Sequence, residues 1–231
     1  MSPQISVRRT GLVVFTSRLA SVFTGLIFLV LMTRTLSASQ FGLWEVIIDL
    51  VTFASYPAGL VTFWATRDVA RGSWVGKTAI GMNLPLSCAG VLLYFLFAVF
   101  TYPAVKANFE PLLLAILLVP LSYWNMAANS IVTGHRPEAL GYSVIASEVS
   151  KIAVAVPLLL IFRMGITGVI GSMLVAYFAQ AAVSSYMVRD ASADGVSASV
   201  GARWLRMSWL PAVITLPYVI GIADTFVASL A

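Results

Sequence analysis

The chain of 231 residues is too apolar for a water-soluble protein, since 60% of its residues are hydrophobic and only 10% are charged. Its mean hydropathy is +0.94, and a soluble domain has about 25% charged residues. The formal net charge of +5 fits basic residues in short loops, where they orient the spans and meet anionic lipid headgroups. No basic and aromatic patch lies outside the apolar runs, so we expect the bilayer, and not nucleic acid, as a partner.

Six apolar stretches follow one another, each long enough to cross a bilayer as a helix, which takes about 20 residues. Segment 189–203 is rich in Ala, Ser, Asp and Gly and is predicted to be a flexible linker. A seventh span starts at 204 and is still running at 231. The predicted fold is an all-α polytopic membrane protein, with a six-helix lobe at 1–188 and the start of an incomplete second lobe at 204–231. The six spans are predicted at 10–32, 41–65, 78–100, 111–133, 138–162 and 165–188.

The loop charges predict the orientation of the spans. Nine Lys and Arg residues lie in the N-terminal segment, in the loops after spans two and four, and after span six as far as Arg206, against three in the opposite loops. Basic residues concentrate in cytoplasmic loops. The N-terminus and the linker are therefore predicted to be cytoplasmic, in a multi-pass protein of the cell membrane.

A short polar stretch, 34–44, separates the first two spans and predicts a tight transmembrane hairpin. Ser37 or Ser39 can cap the second helix, because a serine hydroxyl accepts a hydrogen bond from an unpaired backbone N–H. Trp44 suits the headgroup level of the membrane. This stretch has Arg34 at the end of the first span, then Leu-Ser, and then Phe-Gly at the start of the second.

That pattern resembles the start of the lipid-linked oligosaccharide and polysaccharide flippases, which belong to the multidrug/oligosaccharidyl-lipid/polysaccharide exporter superfamily. The resemblance extends over nearly the whole chain. It implies an alternating-access transporter of two lobes with the substrate between them, and hence a second lobe or partner chain. Further matching pieces are Ala58-Gly59-Leu60 with Arg67 and Ala70, Gly134-His135-Arg136, and Gly165-Ile166-Thr167-Gly168.

A lipid-linked sugar has its charge on a phosphate or pyrophosphate, so its site needs cations. Arginine matches phosphate oxygens with a planar fork of donors, and lysine supplies a point charge. Arg18 and Lys151 lie inside spans, and Arg34 and Arg67 lie at span ends where the resemblance places them. These four residues are the predicted substrate-binding residues, although arginines at span ends also commonly extend to headgroups.

Three carboxylates are candidates for coupling to a proton or Na⁺, because an ionisable group inside a span is costly and usually functional. They are Asp49, Glu148 and Asp224, and the resembling family often has an acidic residue at the depth of Asp224. The structural alternative is that these groups only form ion pairs. Glu148 shares a helix face with Lys151, and a long arginine at position 18 can bridge to Asp49.

Other functions remain open at this stage. A multidrug antiporter of the same superfamily would expel organic cations and would favour Asp49 and Asp224 in one cavity without arginine. A non-transporting membrane fragment is a further alternative. An enzyme is not expected, since the sequence has no Asp-x-Asp pair, Gly-rich phosphate loop or Cys/His cluster. Cys88 and His135 are the single residues of their types, and no metal site or cofactor is predicted.

The predicted orientation can be tested with single cysteines at Ser192 and Asn108 in a variant that lacks Cys88. If the linker is cytoplasmic, an impermeant thiol reagent applied to intact cells should label the cysteine at 108 and spare the one at 192. Labelling is measured by a mass shift on gels, with permeabilised cells as the control. Labelling at 192 but not at 108 would overturn the orientation.

Overall fold

The computed structural model describes residues 7–105, 109–189 and 195–213. Of these residues 91% are helical and none lies in a strand, which confirms the predicted all-α fold. Helices suit a bilayer because they pair backbone N–H and C=O groups within one segment. They are α1 (Val7–Thr35), α2 (Ala38–Ala70), α3 (Gly76–Val105), α4 (Phe109–Ala115), α5 (Leu118–His135), α6 (Pro137–Val156), a π-helix (Pro157–Ile161), α7 (Gly165–Met187) and α8 (Ala198–Met207).

Six of the described segments are long and apolar enough to cross a membrane, which confirms a multi-pass membrane protein. Helices α4 and α5 together form the fourth of them, and α6 continues through the π-helix to form the fifth. Each of the six overlaps one predicted span. Their limits are Thr10–Thr35, Ala38–Ala70, Gly76–Thr101, Phe109–His135, Pro137–Ile161 and Gly165–Met187.

The hairpin between α1 and α2 forms where the polar stretch predicted it. Ser37 is the N-cap of α2: its hydroxyl accepts a hydrogen bond of 3.3 Å from the Gln40 N–H, and the Gln40 side chain accepts one of 3.2 Å from the Ser37 N–H. This reciprocal pair is a capping box, which satisfies two backbone donors that the helix start leaves unpaired. Of the two serines proposed for the cap, Ser37 is therefore the one used.

Helix α5 lies at the centre of the bundle, against α2, α3, α6 and α7. The Tyr123 hydroxyl donates to the Ala54 carbonyl of α2 at 2.9 Å, and the Asn125 amide donates to the Tyr177 carbonyl of α7 at 2.8 Å. Gly90 of α3 lets the backbones approach, because a Cβ there would lie 2.7 Å from the Tyr123 ring and 2.8 Å from the Ala54 oxygen. Small residues at such crossings drive helix packing in lipid.

Helix α1 lies at the edge of the bundle and packs mainly on α6. Only 11% of its span is buried. Gly141 of α6 provides the close contact, since a Cβ there would lie 2.7 Å from a Val13 methyl group. The remaining face of α1 is uncovered and largely apolar, with exposed Leu12, Phe15, Leu19, Val22, Phe23, Leu26, Ile27, Leu29 and Val30.

One end of the bundle collects basic side chains. At this end, which we call the basic end, α1, α3 and α6 begin and α2, α5 and α7 end; α1 ends and α2 begins at the opposite, far end. Helix α8 packs on the basic end through Trp204, which is buried and donates to Asp68 of α2 at 2.9 Å. Arg203 forms an ion pair with the same carboxylate.

Helix α8 starts inside the segment predicted as a linker, 189–203, of which 190–194 lie outside the described residues. The Ser and Gly residues of α8 have low helix propensity, but packing against a folded bundle overrides weak propensity. The predicted seventh span, 204–231, begins with the second half of α8. A turn at Ser208 follows, then helical residues 209–213, and the rest lies outside the described residues.

Gly90→Ala is expected to destabilise the bundle. The added methyl group meets the Ala54 backbone carbonyl, and overpacking of this kind costs about 1–3 kcal/mol. Gly25→Ala in α1 is the matched control, because nothing lies within 4 Å of its Cβ position and alanine favours a helix by up to about 1 kcal/mol. Thermal unfolding in detergent micelles measures both. A midpoint for Gly90→Ala at or above that of Gly25→Ala would contradict this packing.

Candidate functional site

Two charged residues of α6 form a largely buried ion pair, and two hydroxyl groups of α1 bond to it. The Lys151 ammonium lies 2.7 Å from a Glu148 carboxylate oxygen, with side chains 12% and 14% exposed. Ser21 donates to the other oxygen of this carboxylate at 3.2 Å, and Thr24 donates to the oxygen that Lys151 contacts. The pairing expected from the spacing in α6 is confirmed. Glu148 neutralises Lys151. The hydroxyl groups of Ser21 and Thr24 tie α1 to α6 at mid-membrane depth.

Arg18 lies on the uncovered face of α1 and its side chain is exposed. It is about 16 Å along the helix from Val7, at about 1.5 Å per residue. Within the described part of the chain it makes no ion pair, hydrogen bond or ring contact. The ion pair between Arg18 and Asp49, one of the two alternatives considered for these residues, is therefore not formed among the residues described.

The carboxylates of α2 lie on one face of that helix. Asp49 is half-buried and Glu45, one turn nearer the far end, is exposed. Their i, i+4 spacing places them side by side, and neither is ion-paired within 7–105, 109–189 and 195–213. Asp49 lies about 16 Å from the start of α2 at Ala38, so it is inside the span. Asp224, the third predicted coupling residue, lies outside the described residues.

The two arginines at span ends lie at opposite ends of the bundle. Arg34 is exposed in the last turn of α1, at the far end. Arg67 is exposed in the last turn of α2, at the basic end, with its guanidinium 5.5 Å from the centre of the Trp64 ring. Along α2 these ends are about 44 Å apart. The four predicted substrate-binding residues therefore do not converge on one point in the described lobe.

A second feature, which we call the polar cleft, lies between α2, α5 and α7 at mid-membrane depth. Its volume is about 420 Å³, within the range of about 300–1,000 Å³ typical of ligand pockets. None of the described lining residues is charged. They are Val51, Thr52, Ser55, Tyr56, Gly59, Ser122, Asn125, Met126, Tyr177 and Gln180.

Two side chains of the cleft bury an oxygen that has no hydrogen-bond partner among the described residues: Ser55 Oγ and Asn125 Oδ1. The orientation of Asn125 is fixed, because its amide nitrogen donates to the Leu121 carbonyl at 3.2 Å and to the Tyr177 carbonyl at 2.8 Å. Its oxygen therefore cannot exchange places with the nitrogen. An unpaired buried polar atom is uncommon and costly, and at such a place it marks a candidate binding group.

The cleft continues into the charged face of α2. Positions 45, 49, 52 and 56 follow helical spacing, so Glu45 and Asp49 lie on the face that presents Thr52 and Tyr56 to the cleft. At the cleft itself, the Tyr56 hydroxyl donates to the Ala212 carbonyl at 3.2 Å. Residues 209–213 therefore lie beside the cleft, against α2.

The cleft was not predicted from the sequence, although the spacing of polar residues within three apolar spans indicates it. Thr52, Ser55 and Tyr56 form a polar stripe at helical spacing within an apolar span. Ser122 with Asn125, and Tyr177 with Gln180, repeat that i, i+3 spacing on two other helices. These residues are neutral, so the cost of burying a charge in a span does not single them out. For metal ions, no group of three or more His, Cys, Asp or Glu side chains occurs among the residues described.

Glu148→Ala should leave Lys151 as a buried unpaired cation and reduce stability by about 3–5 kcal/mol. The double variant Glu148→Ala/Lys151→Met removes both charges and is expected to regain most of that loss. Thermal unfolding of the purified chain in micelles compares the two. Glu110→Ala, which removes an exposed carboxylate at the start of α4, is the control and should change little. A double variant no more stable than the single would contradict this account of the pair.

No protein-family model, curated protein or solved structure matches the chain. The family resemblance drawn from the sequence motifs therefore stays a prediction.

Proposed function

We propose that the chain is the first lobe of a membrane transporter that flips or exports lipid-linked oligosaccharide or polysaccharide precursors by alternating access. The observation that supports this most is the set of intramembrane charges without partners in the described lobe. Arg18, Glu45 and Asp49 lie on open faces of α1 and α2. A transporter explains them, because such faces border a cavity or a second lobe.

Placing these charged side chains in lipid would be unfavourable. A charged side chain at the bilayer centre costs at least about 2.5–3.5 kcal/mol, so it faces protein or water. In this proposal the open faces of α1 and α2 border a water-filled cavity completed by a second lobe or partner chain. The substrate phosphate binds Arg18, because the guanidinium fork matches phosphate oxygens in a bidentate manner.

Orientation follows from the same proposal. The basic end of the bundle, with Arg67, Arg71 and Arg203, faces the cytoplasm of the cell membrane, in agreement with the excess of basic residues in cytoplasmic loops. The lipid-linked precursor then enters the cavity from this side and leaves at the far end. One of the unpaired carboxylates, Asp49, takes up a proton or Na⁺ and biases the transition.

A multidrug antiporter is the second candidate, and one arrangement favours it. The described lining of the polar cleft has no arginine or lysine, while Glu45 and Asp49 extend from it along α2. Carboxylates beside the aromatic faces of Tyr56 and Tyr177 suit an organic cation. This candidate predicts transport of tetraphenylphosphonium, which the flippase proposal does not.

Arg18→Ala is expected to abolish translocation with little change in membrane protein level, because Arg18 holds the substrate phosphate and stabilises no described partner. Arg18→Lys should retain part of the activity, since the charge remains but the bidentate fork is lost. The measurement uses inside-out vesicles of the native host and a fluorescent polyprenyl-pyrophosphoryl disaccharide, so that any partner chain is present. Arg8→Ala, which removes an exposed charge near the start of the same helix, is the control and should transport normally.

The same assay separates phosphate binding from an ion pair that forms only in another conformation. If Arg18 pairs with Asp49, Arg18→Ala lowers the protein level, and adding Asp49→Asn restores both level and transport. Rescue of transport by the double variant would remove Arg18 from the substrate site. Uptake of tetraphenylphosphonium, with no translocation of the lipid-linked sugar by the wild type, would favour the antiporter.

A further inference from the structure

We propose that the polar cleft between α2, α5 and α7 is a binding site for an uncharged, polyhydroxylated group of the sugar or polyol class. This deepens the proposed function and rests on it in one respect, since a saccharide is the neutral part of the proposed substrate. The inference itself depends on the composition, burial and hydrogen bonding of the cleft.

The chemistry of the lining matches hydroxyl groups. The cleft combines three small hydroxyl side chains, two carboxamides and two tyrosines with the apolar surface of Val51 and Met126. Hydroxyls and carboxamides both donate and accept hydrogen bonds, as a ligand hydroxyl does. The tyrosine rings provide apolar faces with a polar tip, which suit a ligand that has both C–H and O–H surface.

The unpaired oxygens indicate where such a ligand binds. Ser55 is 6% exposed and Asn125 is 7% exposed, so both are more than nine-tenths buried. Each has one oxygen without a partner in the described part of the chain. Asn125 Oδ1 is an amide oxygen and therefore only accepts, and the two bonds donated by the amide nitrogen fix its position. Ser55 can accept and donate. The hydroxyl groups of a ligand can donate to the amide oxygen and can pair with the serine.

Ionic ligands fit the cleft less well. A phosphate group requires guanidinium or ammonium donors, and the described lining has none. A cation would have to draw on Asp49, which is not among the described lining residues and lies about 4.5 Å beyond Thr52 along the axis of α2. The cleft therefore selects a neutral group, while the charges of Arg18 and Asp49 lie outside it.

The test uses variants that remove a polar group without breaking any hydrogen bond of the described structure. Ser55→Ala deletes an unpaired hydroxyl, so its thermal midpoint should equal or exceed that of the wild type. Gln180→Met keeps the side-chain length and removes the carboxamide. Ser130→Ala is the control: Ser130 is also 6% exposed, but it is not among the lining residues and its hydroxyl donates to the Ala127 carbonyl at 2.7 Å.

The probe is octyl β-glucoside with a photoreactive diazirine in its alkyl chain, added below its micellar concentration to the full chain in phosphatidylcholine nanodiscs. We expect crosslinks in segments 51–59 and 122–126, located by mass spectrometry and displaced by excess unlabelled octyl glucoside. Ser55→Ala and Gln180→Met should each reduce this labelling about three- to tenfold, the effect of losing one hydrogen bond. Ser130→Ala should leave it unchanged.

Competition identifies the class of ligand. Octyltrimethylammonium and octyl phosphate have the same chain but a cationic or anionic head, and neither should displace the glucoside probe. Stronger displacement by either one would overturn the assignment to a neutral ligand. Absent labelling of the two segments, or labelling that is equal in wild type and both cleft variants, would overturn the site. Labelling does not depend on translocation, so a failed transport assay with intact cleft labelling refutes the proposed function alone.

Discussion

The bundle depends on the close approach of three helices at Gly90. There the α3 backbone lies against the Tyr123 ring of α5 and the Ala54 carbonyl of α2, and the Tyr123 hydroxyl bonds that same carbonyl. Lipid gives apolar side chains no advantage in associating, so small residues and interhelical hydrogen bonds must hold the helices together. With α2 and α3 fixed to α5, the packing of α7 on α5 leaves the polar cleft between α2, α5 and α7.

The lobe separates its charged groups from its neutral polar groups. Inside the described spans the charged residues lie on α1, α6 and the half of α2 nearer the far end, either paired, as Lys151 is with Glu148, or without an ion-pair partner in the described lobe. The polar cleft has no charged residue among its described lining. A ligand with an anionic head and a neutral polar body would meet both environments in one molecule. This is the physical basis on which the proposed substrate and the inferred cleft ligand agree.

Much of the fold could be predicted from local sequence, because spans, caps and i, i+3 pairs are set within one helix. The six spans, the Ser37 cap and the pairing of Glu148 with Lys151 are of this kind. Features that join distant segments could not. Trp204 bonds to Asp68 across 136 positions, which turns part of a predicted linker into a docked helix. The cleft needs side chains from three helices, and no single stripe reveals their convergence.

Helix α2 both lines the polar cleft and holds the segment that follows α7, and this has a thermodynamic consequence. Its Asp68 holds Arg203 and Trp204 of α8, and its Tyr56, a residue of the cleft, holds the Ala212 carbonyl. A ligand whose binding shifts α2 must therefore change the free energy of docking the segment after α7, and docking must change ligand affinity by the same factor. Through α2, binding of a ligand in the cleft and docking of the segment after α7 are therefore thermodynamically coupled.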